Sequence, residues 1–317
     1  MAKTKTKSTR KPGRPGGRPG RPEVRPATAS DWISGARPRT LTLAVAPVVL
    51  GSASAFEQHD FQPVLAVLCL VVALFLQIGV NYANDYSDGI RGTDKYRVGP
   101  ARLTGAGVAN PKTVRTVAFV SFGVAAAAGI AVIVLSHFWW LALVGVASVV
   151  AAWFYTGGKR PYGYNALGEV FVFVFFGLVA TVGTSYVQSG SLTYPTGLVA
   201  AVMIGLFSCA VLMVNNIRDI EQDALAGKRT LAVVLGQRGA RVVYALFLML
   251  PYVLLVYFVV FTFGGGYPYF TLLLTLPALV IGVTAKTAPE LILALKLSSF
   301  GALAFSLALA AVIFFLP

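Results

Sequence analysis

Residues 63–94 read PVLAVLCLVVALFLQIGVNYANDYSDGIRGTD. The apolar run over 63–83 has the length that crosses a bilayer as a helix, ~20 residues. It ends in Asn81-Tyr82-Ala83-Asn84-Asp85-Tyr86-Ser87-Asp88, with Asp94 beyond. A second run, 197–214, ends in the same manner, in Asn215-Asn216-Ile217-Arg218-Asp219-Ile220-Glu221-Gln222-Asp223. Acidic residues number only 12 in 317 positions, and six of them (Asp85, Asp88, Asp94, Asp219, Glu221, Asp223) stand in these two segments. Carboxylates at a membrane boundary are costly unless paired or metal-bound. Their recurrence points to a cation-dependent site that handles something negatively charged.

Working outward, the chain is 56% hydrophobic and 12% charged, with a mean hydropathy of +0.74. Nine apolar runs can be marked, at 40–56, 63–83, 113–135, 138–156, 167–187, 197–214, 242–262, 269–285 and 297–316, the first and eighth being marginal in length. The expected fold is therefore all-α: a polytopic membrane protein of about nine transmembrane helices. All 26 basic residues lie in the N-terminal tail or at the helix ends and loops after the second, fourth, sixth and eighth runs. That is a positive-inside pattern. It predicts a multi-pass protein of the cell (plasma) membrane, with the N-terminus and both aspartate segments cytoplasmic and the C-terminus outside.

The net charge of +14 is mostly this topology signal. Residues 1–39 hold 11 basic and 2 acidic residues, a balance of +9. The chain divides into a disordered basic cytoplasmic tail, 1–35, and an integral-membrane domain, 36–317. The tail suits an electrostatic tether to anionic lipid, at ~1 kcal/mol per basic residue; a nucleic-acid partner is not expected. Cys69 and Cys209 fall inside apolar runs, where a thiol behaves as a small hydrophobe. His59 and His137 are remote from both aspartate segments, so a histidine metal site there is excluded.

Asp85 and Asp88 are spaced i, i+3, and Asp219 and Asp223 i, i+4, so each pair shares one helix face. Two such pairs of hard oxygen donors suit Mg²⁺, which keeps waters and takes a few carboxylates plus substrate phosphate oxygens. Asn84 and Asn216 can add amide oxygens, and Asp94 can reach back from the loop. Arg91, Lys95, Arg97 and Arg102 follow the first segment; Arg218, Lys228 and Arg229 surround the second. Carboxylate, Mg²⁺, phosphate and then Arg or Lys is the layering expected around a bound diphosphate. Tyr155 and Lys159 end the fourth run on the same side, and Glu169 starts the fifth close to the membrane boundary. Helix capping, interfacial anchoring and a solvated basic loop are the plain alternatives for these residues.

Taken together, the segments resemble the UbiA superfamily of intramembrane aromatic prenyltransferases. The likeness rests on Asn84-Asp85-x-x-Asp88 with Asp94, and on Asp219-x-x-x-Asp223. Within it the chain is most similar to the 1,4-dihydroxy-2-naphthoate prenyltransferases of menaquinone synthesis. That narrower likeness is carried by 83–94, Arg97-Val98-Gly99-Pro100-Ala101-Arg102, Arg37-Pro38-Arg39-Thr40-Leu41, Tyr155-Thr156-Gly157-Gly158, 168–173 and Gly227-Lys228-Arg229-Thr230-Leu231.

The resemblance implies a helical bundle around a central cavity. It implies that Asp85, Asp88, Asp219 and Asp223, with Asp94 assisting, hold Mg²⁺ (two ions) against a polyprenyl diphosphate. Arg37, Arg91, Arg97, Arg102, Asn216, Lys228 and Arg229 would bind substrate, and Asn84, Lys159, Tyr155 and Glu169 would act at the reaction centre. The implied reaction passes the polyprenyl group to 1,4-dihydroxy-2-naphthoate with loss of CO₂ and diphosphate, giving demethylmenaquinol. Phe171, Phe173, Phe175 and Phe176 would wall the site. The same residues also allow another acceptor (4-hydroxybenzoate, homogentisate, haem) or a transporter of organic anions or cations.

Overall fold

Proline stands at the first position of four long helices, at Pro38, Pro63, Pro111 and Pro195. There its missing N–H costs nothing and its fixed φ already suits the helix. The computed structural model describes residues 25–96, 102–192 and 195–315. Arg97, the Gly99-Pro100 bend and residues 1–24 of the basic tail lie outside the described residues.

In chain order the helices are α1 (Ala29–Ala36), α2 (Pro38–Glu57), α3 (Pro63–Arg91), α4 (Pro111–Ser136) and α5 (Leu141–Phe154). There follow α6 (Gly168–Ser189), α7 (Pro195–Arg218), α8 (Ile220–Leu225), α9 (Leu231–Phe261), α10 (Tyr267–Thr284) and α11 (Ala288–Phe315). Among the described residues the only extended pairing is an isolated bridge between Asn165 and Arg229. Among the described residues, eight helices are long and apolar enough to cross a membrane. The remaining run, 138–156, folds as α5, of 14 residues, about 21 Å at 1.5 Å per residue and short of a ~30 Å hydrocarbon core. Its ends are consumed by the left-handed His137 and by the turn through Gly157 and Gly158. The shortfall thus falls on the fourth run, whereas length alone pointed to the first and eighth.

α7 is the central helix. Met203, Phe207, Ala210 and Met213 are fully buried, against Leu50 and Ala53 of α2, Tyr244 and Leu248 of α9, and Phe305 and Leu309 of α11. Around this core the helices turn apolar side chains outward, as with Leu143 at 75% and Leu273 at 78% exposure. Helices apolar on all faces need lipid around them. Buried polar groups are satisfied internally: the Tyr244 hydroxyl reaches the Ala278 carbonyl and Ser298 Oγ, each at 2.9 Å.

α6 packs on α7 through small residues. A Cβ on Gly177 would stand 2.8 Å from Gly205 Cα, and one on Gly205 would stand 2.8 Å from the Phe173 ring. Between its α-helical ends, Gly168–Val172 and Gly183–Ser189, the helix widens to a π-helix over Phe173–Val182. Such stretches are rare and gather near functional sites. The four phenylalanines expected to wall the site have different neighbours. Phe171 and Phe175 join a stack with Tyr162, Phe173 lies on Gly205, and Phe176 packs on the core.

The stretch expected as disordered tail ends in structure. Thr28 and Asp31 form a reciprocal capping box that starts α1. Tyr82 Oη donates to the Trp32 carbonyl at 2.6 Å, and Asn81 Nδ2 donates to the Ala36 carbonyl at 2.9 Å, so α1 is laid on α3. The Arg25 guanidinium bonded to Asp31 and the Thr28 N–H hold the Asp31 carboxyl well below the usual range. Arg37, in the left-handed conformation (φ 56°), makes the turn into α2.

Candidate active site

The last turns of α3 carry Asn84, Asp85 and Asp88 inward, and the returning loop 102–109 closes over them. Asp85 is 2% exposed. Its Oδ2 accepts the Leu103 N–H at 2.9 Å and its Oδ1 accepts the Thr104 N–H at 2.8 Å. Asp85 thus anchors the loop, with one acceptor position left on each oxygen. Gly105 lets the loop pass Asp94, since a Cβ there would stand 2.8 Å from Asp94 Oδ2.

Asp88 is the meeting point of both segments. Its Oδ2 accepts from Arg102 Nη1 at 2.5 Å and from Lys228 Nζ at 3.1 Å, and its Oδ1 accepts from the Tyr164 hydroxyl. Lys228 Nζ is 3.7 Å from Asp223 Oδ1, and Arg102 Nη1 is 3.5 Å from Asp94 Oδ1. One ammonium therefore joins the first aspartate segment to the second. Burial alone would lower the Arg102 pKa, but the charges of Asp88, Asp94 and Asp85 outweigh it and raise it. Lys228 is aimed by the turn after α8: Gly227 is left-handed (φ 73°) and the Lys228 N–H donates to the Asp223 carbonyl at 2.8 Å.

The second segment is less tightly gathered. Arg218 clamps its neighbour Asp219 with two bonds, at 2.8 and 2.5 Å, and reaches Asn215 Oδ1 at 3.0 Å. Burial pushes the Asp223 carboxyl up to about 6, against the pull of Lys228. Among the described residues no three acidic, histidine or cysteine side chains form a bare metal cage, because Arg102 and Lys228 stand between the carboxylates. The donors are nonetheless hard oxygens from two segments already spanned by a cation, the chemistry that Mg²⁺ requires.

Two further loops complete the site. Thr156 Oγ1 donates to Asn84 Oδ1 at 2.6 Å, and Arg91 donates to the Thr156 and Gly158 carbonyls. Lys159 is exposed on this loop and makes no ion pair with a described residue. Arg229 is exposed too, but its N–H donates to the Tyr164 carbonyl at 2.9 Å, strapping loop 226–230 to loop 155–167.

Toward the membrane interior, Asn216 Nδ2 donates to Glu169 Oε1 at 3.1 Å. Glu169 is 4% exposed and its Oε2 has no hydrogen-bond partner. Tyr155 packs edge-on to Tyr162, 5.4 Å between centroids. Arg37 and Asp223 lie within electrostatic reach of the Tyr155 hydroxyl. A groove of ≈ 600 Å³ along α10 and a smaller pocket of ≈ 220 Å³ between α2, α6 and the start of α7 lie elsewhere.

Tyr164, Thr156 and the Leu103–Thr104 backbone were not among the expected site residues. The aromatic Pro161-Tyr162-Gly163-Tyr164 turn was a visible signal in the sequence. Its target, Asp88, lies 76 positions away.

Residues 44–291 match the UbiA prenyltransferase family. A protein of Mycobacterium leprae named 1,4-dihydroxy-2-naphthoate octaprenyltransferase is 51% identical over 236 residues, covering 74% of this chain and 80% of that protein. The Mycobacterium tuberculosis protein of the same name is 52% identical over 218 residues, covering 69% and 74%. Among solved structures, a UbiA homolog from Archaeoglobus fulgidus bound to GPP and Mg²⁺ superposes with a TM-score of 0.61 at 15% identity, over 89% of this chain and 100% of that one. At that identity the likeness is one of fold. A family match over most of the membrane domain, with relatives half identical across it, makes this chain a member of the UbiA prenyltransferase family, a membrane-embedded prenyltransferase.

Proposed function

We propose that the protein transfers a polyprenyl group from a polyprenyl diphosphate to 1,4-dihydroxy-2-naphthoate, with Mg²⁺ as cofactor, releasing diphosphate and CO₂ and leaving demethylmenaquinol. The observation that carries this reading is Lys228 Nζ held between Asp88 and Asp223, a cation shared by two aspartate segments at one end of the bundle. The names of the relatives support the acceptor, and the Mg²⁺ and GPP of the solved homolog support the donor and metal.

Asp88, Asp94, Asp219 and Asp223 would hold the metal, with Asp85 fixing the loop that carries Arg102. When bound, Mg²⁺ neutralises the diphosphate and stabilises it as a leaving group. Arg102, Lys228 and Arg91 face the same charge as it grows on the leaving oxygen, which is preorganised electrostatic stabilisation. Arg229 and Lys159 would supply the outer ring of positive charge that draws the diphosphate in, and Arg37 and Arg97 would bind substrate with them. The allylic C–O bond breaks as the ring carbon bearing the carboxylate bonds to the allylic carbon. The electron pair of the departing CO₂ returns to the ring. Tyr155, Asn216 and Glu169, at the buried end of the site, would orient the acceptor's hydroxyl groups, and Asn84 would hold the Thr156 loop in register. The nine-run topology and the basic-residue bias support a plasma-membrane protein with this site facing the cytoplasm.

The test is direct. Detergent-purified protein is incubated with Mg²⁺, a long-chain prenyl diphosphate and 1,4-dihydroxy-2-naphthoate, and products are read by mass spectrometry. A prenylated, decarboxylated product that disappears with EDTA is expected. Prenylation of 4-hydroxybenzoate or homogentisate instead would overturn the acceptor, and EDTA-insensitive turnover would overturn the metal.

A further inference from the structure

Tyr164 belongs to neither aspartate segment, yet it touches the groups of both. It sits in the short turn Tyr162–Tyr164 after Pro161. Its hydroxyl donates to Asp88 Oδ1, and its carbonyl accepts the Arg229 N–H at 2.9 Å. Over its ring lie the Arg91 guanidinium carbon, 5.4 Å from the centroid, and Lys228 Nζ, 4.7 Å away. Aromatic faces attract cations at that range.

The acceptor count on Asp88 shows what the hydroxyl does. A carboxylate offers about four lone-pair positions, two per oxygen. Arg102 and Lys228 take both positions on Oδ2, and Tyr164 takes one on Oδ1. The position left over is the second one on Oδ1, the oxygen whose direction the Tyr164 hydroxyl sets. A phenol is an O–H donor in its ordinary neutral form.

We propose that Tyr164 is a positioning residue. Its hydroxyl aims the remaining lone pair of Asp88 at the divalent cation, and its ring holds Lys228 and Arg91 toward the diphosphate. The inference rests on the metal–diphosphate reading of the site given above. It assigns separate tasks to the two parts of one side chain, and the parts can be removed separately.

The experiment uses full-length wild type, Tyr164→Phe, Tyr164→Ala and Asp88→Asn in a non-ionic detergent. Mn²⁺ binding is measured from the free-Mn²⁺ electron paramagnetic resonance signal without substrate. The KM for prenyl diphosphate and kcat are measured at saturating metal. Tyr164→Phe is expected to weaken Mn²⁺ about tenfold, the size of one hydrogen bond to a charged group, with the KM for prenyl diphosphate close to wild type. Tyr164→Ala is expected to weaken Mn²⁺ likewise and also to raise that KM. A purely structural tyrosine would lower the melting temperature without this split. Wild-type Mn²⁺ affinity in Tyr164→Phe overturns the proposal, and because that variant keeps ring and backbone it decides the matter even if Tyr164→Ala does not fold. If Asp88→Asn binds Mn²⁺ as wild type does, the metal reading itself fails, and the proposal with it.

Discussion

The ammonium of Lys228 lies 3.1 Å from Oδ2 of Asp88, a residue 140 positions earlier in the chain. Both side chains are shielded, at 12% and 2% exposure. The contact therefore works in a low-dielectric setting, where removing one partner leaves the other charge stranded.

Asp88→Asn is expected to strand Arg102 as well as Lys228 and to destabilise the protein by about 3 kcal/mol or more. Turnover should fall by at least ~100-fold, about the loss of one preorganised charge contact. Arg102→Met should cost a comparable amount alone. The double variant should cost less than the sum, by ~1–3 kcal/mol, read from denaturation in mixed micelles. Strict additivity would show that the 2.5 Å pair contributes nothing specific.

Glu169 separates a chemical role from a packing role. Glu169→Leu removes the acceptor that Asn216 uses at 3.1 Å and should cost about 1–3 kcal/mol, the penalty for an unsatisfied buried amide. Glu169→Gln keeps an acceptor oxygen and the same shape, so its melting temperature should stay near wild type. Its turnover should drop by more than about tenfold, since the amide cannot take a proton or match a carboxylate in orienting a hydroxyl. Wild-type turnover in Glu169→Gln would leave the residue a structural role alone.

The close approach of α6 and α7 can be tested without touching the site. Gly205→Ala puts a methyl 2.8 Å from the Phe173 ring and 3.2 Å from Gly177 Cα. Overpacking of that kind costs about 1–3 kcal/mol. Thermal unfolding should show it, while the apparent Mg²⁺ dependence of turnover stays the same. A shift in that dependence would mean the helix crossing sets the aspartate geometry directly.

The α1 cap should respond to acid. The folded Asp31 carboxyl is held far below its unfolded value, chiefly by the Arg25 bond and then by the Thr28 N–H. A lowered acid pKa stabilises above the unfolded value of ~4 and is lost as pH falls through the folded one. α1 should therefore fray only in strong acid, and Asp31→Asn should fray it at neutral pH. Hydrogen exchange of the 25–40 peptide, compared between wild type and Asp31→Asn at pH 7, measures this. Equal protection in both would show that the Tyr82 and Asn81 bonds alone hold the helix.

The features readable along the chain are local or cumulative: which stretches are helical and apolar, which ends carry positive charge, and that two aspartate segments share one side. Apolar run length, proline position and basic-residue bias act through the nearby chain and the bilayer, so they can be read in order along it. Asp85, Asp88, Asp219 and Asp223 were legible for the same reason, since i, i+3 and i, i+4 spacings fix a shared face.

What stands between those carboxylates emerges only once the chain is folded. Lys228, Arg102 and the Tyr164 hydroxyl converge on Asp88 because a left-handed Gly227, a close passage of Gly105 past Asp94 and the Asn165–Arg229 bridge bend three loops to one point. Pairing of Glu169 with Asn216 depends in turn on how closely Gly177 and Gly205 let α6 and α7 cross. Such contacts join residues tens of positions apart. Their energy comes from burying charges and hydrogen bonds together, and no period or spacing in a single chain encodes which distant partners will meet.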